Sequence, residues 1–171
     1  NDFFTGTPTK IENKTYTSKQ TLSDTSVYVL NCLFNGCTSI SGSGGALSCT
    51  TVTYLLVDSS SFFSCNSSGI NGGAIYFSNT GSGECVLHKV CGYNCCSTYT
   101  SGYSHGQFSC IQVNRSASSK NYVNYSSISR CVNENSKSQF TLYHDFGEIC
   151  CPSVNISMNK CEDFSGIYFN P

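Results

Sequence analysis

Apolar and polar positions alternate in short runs along this chain, and no run carries the three-to-four spacing of an amphipathic helix. Val27 and Val29, Leu55 and Val57, and Val86 and His88 are alternating pairs in segments of strand length. Downstream comes a motif of one apolar residue, two spacers and a cysteine: Phe34/Cys37, Phe62/Cys65, Tyr93/Cys96, Ile128/Cys131 and Met158/Cys161. From cysteine to cysteine the steps are 28, 31, 35 and 30 residues. A second motif follows at the same phase, two small residues and then apolar-x-apolar. It reads Gly45-Ala46-Leu47-Ser48-Cys49, then Gly73-Ala74-Ile75-Tyr76-Phe77, then Gly106-Gln107-Phe108-Ser109-Cys110. It decays to Ser138-Gln139-Phe140-Thr141-Leu142 and Ser165-Gly166-Ile167-Tyr168-Phe169.

Period-two alternation places Leu47, Ile75, Phe108, Phe140 and Ile167 in one inward column, with Cys49, Phe77, Cys110, Leu142 and Phe169 in the next. Ser48, Tyr76, Ser109, Thr141 and Tyr168 then point the other way. One such unit cannot bury its inner face alone, whereas a stack of copies can. The pattern therefore predicts an all-β chain. Its fold is a parallel β-helix, a solenoid of about five coils over residues 27–171 and roughly 24 Å long at the usual strand spacing. Residues 1–26 read as an irregular N-terminal segment or cap. Parallel crossovers make the winding right-handed. A β-sandwich explains the alternation but not one motif returning five times in phase. The paired glycines suit corners that need positive φ or close backbone approach.

Gly44-Gly45-Ala46-Leu47 and Gly72-Gly73-Ala74-Ile75, each preceded by a Phe-rich strand end, resemble the Gly-Gly-Ala-Ile repeat of the polymorphic outer-membrane proteins of chlamydiae. Similar right-handed β-helix repeats occur in large secreted or surface proteins of trichomonad protists. Val90-Cys91-Gly92-Tyr93-Asn94-Cys95-Cys96 and Gln107-Phe108 look closer to the protist group. The bacterial repeat pairs its glycines with Phe-x-x-Asn, and Cys37 and Cys65 stand where that Asn would be. The resemblance spans residues 27–169. It implies a surface-exposed adhesive or structural rod without a cofactor.

Charge changes the picture by subtraction. Only 11% of residues are charged and the net charge is -1, which gives no electrostatic case for nucleic acid or a membrane surface. No apolar run is long enough to span a bilayer. Asn1-Asp2-Phe3-Phe4 lacks the basic start and apolar core of a leader, which is then removed or outside this chain. Thirteen cysteines point to an oxidising, secreted route, as do five Asn-x-Ser/Thr sequons at Asn13, Asn66, Asn114, Asn124 and Asn155. A cytosolic chain with small buried thiols is the alternative.

Stacked coils bring Cys37 beside Cys65 and Cys131 beside Cys161, within reach of disulfide bonding or of packing as reduced thiols. Cys95-Cys96 and Cys150-Cys151 are adjacent pairs and further disulfide candidates. The odd count leaves one thiol over. A zinc site drawn from Cys91, Cys95 and Cys96 with His88 or His105 lacks the paired Cys-x-x-Cys spacing, so no metal is assigned. Neither His88, His105 nor His144 has a nucleophile and orienting group in its local sequence. Asp58, Asp145 and Glu148 are scattered rather than clustered for glycoside chemistry. No catalytic residue is assigned. Tyr76, Tyr168, Tyr99 and Tyr103 offer rings to sugars or serve as ordinary strand surface.

The chain closes on Phe169-Asn170-Pro171, directly after an apolar strand. Three functions follow in order: an extracellular structural rod that self-associates end to end or continues in a longer chain, an adhesin for host or neighbour glycans, and a carbohydrate-active enzyme.

Overall fold

The computed structural model describes residues 3–132, 137–162 and 166–171. Asn1, Asp2 and Ser165, named above, lie outside the described residues. Those described form an all-β chain without a helix. Every strand pairing is parallel. Three six-stranded sheets carry the fold. Sheet 1 holds Thr9–Glu12, Ser26–Leu30, Tyr54–Asp58, Glu84–His88, Lys120–Asn124 and Glu148–Cys150. Sheet 2 holds Thr15–Tyr16, Leu33–Asn35, Ser61–Phe63, Cys91–Tyr93, Ser127–Ser129 and Asn155–Ser157. Sheet 3 holds Gln20–Leu22, Leu47–Cys49, Ile75–Ser78, Ser109–Gln112, Leu142–Asp145 and Ile167–Asn170. The chain visits sheets 1, 2 and 3 in turn and returns to sheet 1, each visit adding a layer. This arrangement is consistent with a β-solenoid.

Residues 1–26, read as irregular, supply a strand to each sheet. Thr9–Glu12 pairs with Ser26–Leu30, Thr15–Tyr16 with Leu33–Asn35, and Gln20–Leu22 with Leu47–Cys49. Thr9 and Val27 share a column, so this layer is only 18 residues long. It carries no Gly-Gly-Ala motif, which hides it from a search for repeats.

Inward columns meet in one core. On sheet 2, Tyr16 stacks on Phe34 at 5.1 Å between centroids and Phe34 on Phe62 at 4.7 Å. Phe34 and Phe62 are fully buried. Each such ring contributes about 2–3 kcal/mol of burial free energy. The next position in that column is Gly92. A Cβ there would run into the ring of Phe108. Phe108 meets Phe62 edge-on at 5.8 Å and fills the space the missing ring leaves.

Phe108 can do so because its column is not the expected one. The two good motif copies are in register, Ile75 on Leu47 and Phe77 on Cys49. The third slips: Ser109, not Phe108, stands beside Ile75, and Ile111 beside Phe77. Leu142 and His144 continue those columns in place of Phe140 and Leu142, and Ile167 and Phe169 end them. Phe108 instead occupies the small-residue position of Ala74, whose N–H donates to its carbonyl. On sheet 1 the inward pair is Cys85 and Leu87, and Val86 and His88 point outward.

Tight corners recur between strands, and most demand a left-handed backbone. Asn13, Asn31, Ser59, Lys89, Tyr125 and Ser153 line the corner after sheet 1, with φ between 49° and 56°. Gly36, Ser64, Asn94, Arg130 and Met158 line the corner after sheet 2. Gly44, Gly72, Gly106 and Phe140 line the corner before sheet 3. At Gly72 a Cβ would also strike the Ile75 carbonyl. Bulky residues such as Tyr125 and Met158 carry a strain of about 1 kcal/mol each in this conformation. Met158→Gly is expected to raise stability by about 1 kcal/mol, and Gly72→Ala to lower it by at least about 2 kcal/mol, in urea unfolding curves.

Candidate functional site

The feature with the most chemistry is a column of thiols inside the corner after sheet 2. Sheet 2 register puts Phe34, Phe62, Gly92, Ile128 and Ile156 in line. Three residues on, the column reads Cys37, Cys65, Cys95, Cys131 and Asn159. Cys95 rather than Cys96 therefore joins the column, and Cys96 stands beside Asn66. Cys161 does not stack on Cys131, because Asn159 does: the Cys131 N–H donates to Asn159 Oδ1 at 2.8 Å. Met158, the apolar residue of the last motif copy, is 71% exposed.

Three of the four thiols reach back one layer, whereas Cys131 Sγ donates within its own layer, to the Ser129 carbonyl at 3.7 Å. Cys37 Sγ donates to the Tyr16 carbonyl at 3.4 Å, Cys65 Sγ to Phe34 at 3.6 Å and Cys95 Sγ to Phe62 at 3.4 Å. Asn159 Nδ2 does the same to Ile128 at 3.0 Å. Thiol and amide thus perform one task, holding the preceding strand end. Burial pushes Cys37 and Cys131 up to about 12. The neighbouring Cys95 thiol, and then burial, raise Cys65 further. Such thiols stay protonated at physiological pH and are poor nucleophiles. All thirteen cysteines are free in this structure. Cys150 is exposed and Cys151 half-buried, on the outermost strand of sheet 1 and just after it.

The histidines lie apart. His88 contacts the rings of Phe3 and Tyr125 on the outer face of sheet 1. His105 stacks on Tyr143 at 4.5 Å, and burial lowers its pKa. His144 sits in the core, its Nδ1 2.7 Å from Asn121 Oδ1, and burial lowers its pKa to about 3. Nothing in the sequence motifs marks this pair, because Asn121 falls at the inward position of Val27, Leu55 and Cys85. Asp145 is nearly buried and accepts from Gln112 at 3.3 Å and Asn170 at 2.7 Å. Glu148 accepts from the Tyr122 hydroxyl, and Asp58 from Ser59. These carboxylates do not converge. Among the described residues, no group of three or more His, Cys, Asp or Glu is placed to hold a metal ion. The Cys91, Cys95, Cys96 set is split, with Cys95 inward and its neighbours partly exposed.

Aromatic side chains form a ladder on the outer face of sheet 3. Tyr143 and Tyr168 stack at 4.7 Å and 6°. One face of each ring is taken by the other. Tyr103 is 62% exposed in a loop. A shallow groove beside the corner after sheet 1 is lined by Asn13, Asn31, Ser59, Ser61, Lys14 and Phe63.

The sequons divide by environment. Asn13 and Asn155 are exposed, whereas Asn124 is buried. Asn66 and Asn114 are half-buried, and Asn114 holds the Gly81 carbonyl and the Ser116 N–H. Expressed through a eukaryotic secretory pathway, the chain is expected to carry glycan at Asn13 and Asn155 and none at Asn124. Glycopeptide mass spectrometry after endoglycosidase treatment reads this directly.

The outermost layers differ from the interior. Ile149, Ile156 and Ile167 are half-buried, although Leu55, Phe62 and Ile75 in their columns are fully buried. At the other end Ile11 and Tyr16 are half-buried. Among the described residues, no strand pairs with the outer edges of these layers. No helix of the described residues is long and apolar enough to cross a membrane. No family model, curated protein or solved structure matches this chain.

Proposed function

We propose that the chain is an extracellular structural rod, a right-handed parallel β-helix of about five to six coils whose two ends take a further layer. The layer comes from a second copy or from a longer chain of the same kind. The observation that carries this reading is the half-exposed apolar residues at both ends, lying in the same columns. A copy added in register sets Tyr16 over Ile156 and Leu22 over Phe169, and pairs strand edges that otherwise invite association. The contact is head to tail and does not close, so it propagates into filaments. Glycans on the sides supply the solubility that 11% charged residues do not. The reading assigns no catalytic step and no cofactor.

Negative-stain images of concentrated protein are expected to show rods that lengthen with concentration, and Tyr16→Glu is expected to shorten them to single particles without loss of β-structure. Compact monodisperse particles at every concentration would overturn the proposal. A second reading, a glycan-binding adhesin, is favoured by the neutral polar groove along Asn13, Asn31 and Ser59 beside Phe63. Its test is a glycan array, on which Phe63→Ala removes whatever binding the native chain shows.

A further inference from the structure

Outward columns of a stacked sheet face water, and on sheets 2 and 3 most of them carry polar atoms: Thr15, Ser61, Ser127 and Asn155 on one, Thr21, Ser48, Tyr76 and Tyr143 on the other. Sheet 1 departs from this. Its central outward column is Tyr28, Leu56, Val86 and Tyr122. Leu56 and Val86 are fully buried, although they lie outside the core. Polar rims run on either side, Glu84 and Lys120 along one edge and Asp58, His88 and Asn124 along the other. The Lys120–Glu84 ion pair spans 3.3 Å.

The cover is the segment before the first strand. Phe4 lies 5.3 Å from the ring of Tyr54 and 6.3 Å from that of Tyr28, with Lys120 Nζ 5.5 Å from its centroid. Phe3 lies 5.3 Å from His88. Tyr28 Oη donates to the Phe4 carbonyl at 3.1 Å. Two rings thus cover a stripe four strands wide. Residues 3–8 belong to no strand, and Thr5, Gly6 and Thr7 are exposed. A cover held by side chains at the end of an exposed hinge belongs to the least stable part of a fold.

We propose that this stripe is an exchangeable seat, filled by the chain's own Phe3 and Phe4 in the monomer and by the same two residues of a second copy in a strap-swapped dimer. Every contact made within one chain is made again between two, and the segment that opens in the exchange is the hinge at Thr5–Pro8. A contiguous apolar stripe with polar rims is the surface type that recruits a partner when uncovered. The occupant is specified by what already sits there. The proposal does not depend on end-to-end stacking, which uses strand edges rather than this face.

Two variants separate seat from strap. A chain with Phe3→Ser and Phe4→Ser keeps the seat and loses the strap, and Val86→Glu keeps the strap and spoils the seat. Each alone is expected to sediment as a monomer, and their mixture as a heterodimer. A fluorescent hexapeptide Phe-Phe-Thr-Gly-Thr-Pro is expected to bind the double variant at least about ten-fold more tightly than the native chain, whose seat is already taken. Circular dichroism confirms that each variant keeps its β-structure. Where both variants fold, a mixture that stays monomeric overturns the dimer; where Val86→Glu does not fold, the peptide titration decides. A peptide that favours neither chain overturns the proposal.

Discussion

Replacing Gly92 with Phe is expected to destabilise the chain by more than about 3 kcal/mol, and Phe108→Ala by about 3–5 kcal/mol, while the two together recover most of the loss. The reason lies in how volume is shared across each layer. Phe34 goes with Ala46 and Phe62 with Ala74, a ring on sheet 2 facing a methyl near sheet 3. In the next layer the assignment is reversed, with Gly92 on sheet 2 and Phe108 at the alanine position. Gly92→Phe alone drives two rings into one space, and Phe108→Ala alone leaves a ring-sized void. The double variant restores the arrangement of the two preceding layers. Urea unfolding of the four proteins gives the coupling directly, expected at no less than about 2 kcal/mol. Additive losses would mean that the two positions do not share a space.

The second large effect is on acid stability. His144 is fully buried among Phe77, Ile111 and Phe169 in its column, paired to Asn121, and burial holds its pKa near 3 against an ordinary value of 6.5. The folded chain keeps the ring neutral, and the unfolded chain protonates it first. Between pH 6.5 and about 3 the unfolded state therefore binds more protons, and stability falls as pH falls. The full window is worth up to about 5 kcal/mol, complete only below the folded value. His105, lowered by burial as well, adds a smaller loss of the same sign. A His144→Gln variant loses the titrating ring but keeps an amide to meet Asn121, whose Nδ2 also donates to the Asp145 and Phe146 carbonyls at 3.2 and 2.9 Å. The variant's unfolding midpoint is expected to change little at pH 7 and to fall much less than that of the native chain by pH 4. Parallel curves for the two proteins would assign the acid sensitivity elsewhere.

How far the sequence reads true depends on where apolar residues are a reliable sign of the interior. The columns from Leu47 to Ile75 and from Cys49 to Phe77 were legible because the paired glycines mark the corner and one face is polar. The third layer was not. Gly92 occupies an inward position without any hydrophobicity, Cys95-Cys96 offers two equivalent thiols, and Phe108 takes a position where small residues stood before. On sheet 1 alternation cannot separate Cys85 and Leu87 from Val86, because the outer stripe is apolar too. Met158 fits the apolar-x-x-Cys motif by type alone: it sits at a left-handed corner, φ 55°, and is exposed, while Ile156 holds the inward position. The back-reaching bonds of the thiol column had one visible signal, Asn159 three residues after Ile156, the amide counterpart of Phe62 and Cys65.

Corners hold their place from layer to layer while the distance between them does not. Asn13 to Asn31 takes 18 residues and Lys89 to Tyr125 takes 36, yet both pairs sit one above the other. The surplus is looped out, as at the exposed Ser116, Ala117 and Ser118. A gene encoding such a chain can lengthen by copying any whole layer, or acquire a foreign epitope between Ser116 and Ser118, without re-solving the interior. Peptides grafted there would be displayed on the outside of the stacked layers, clear of the core.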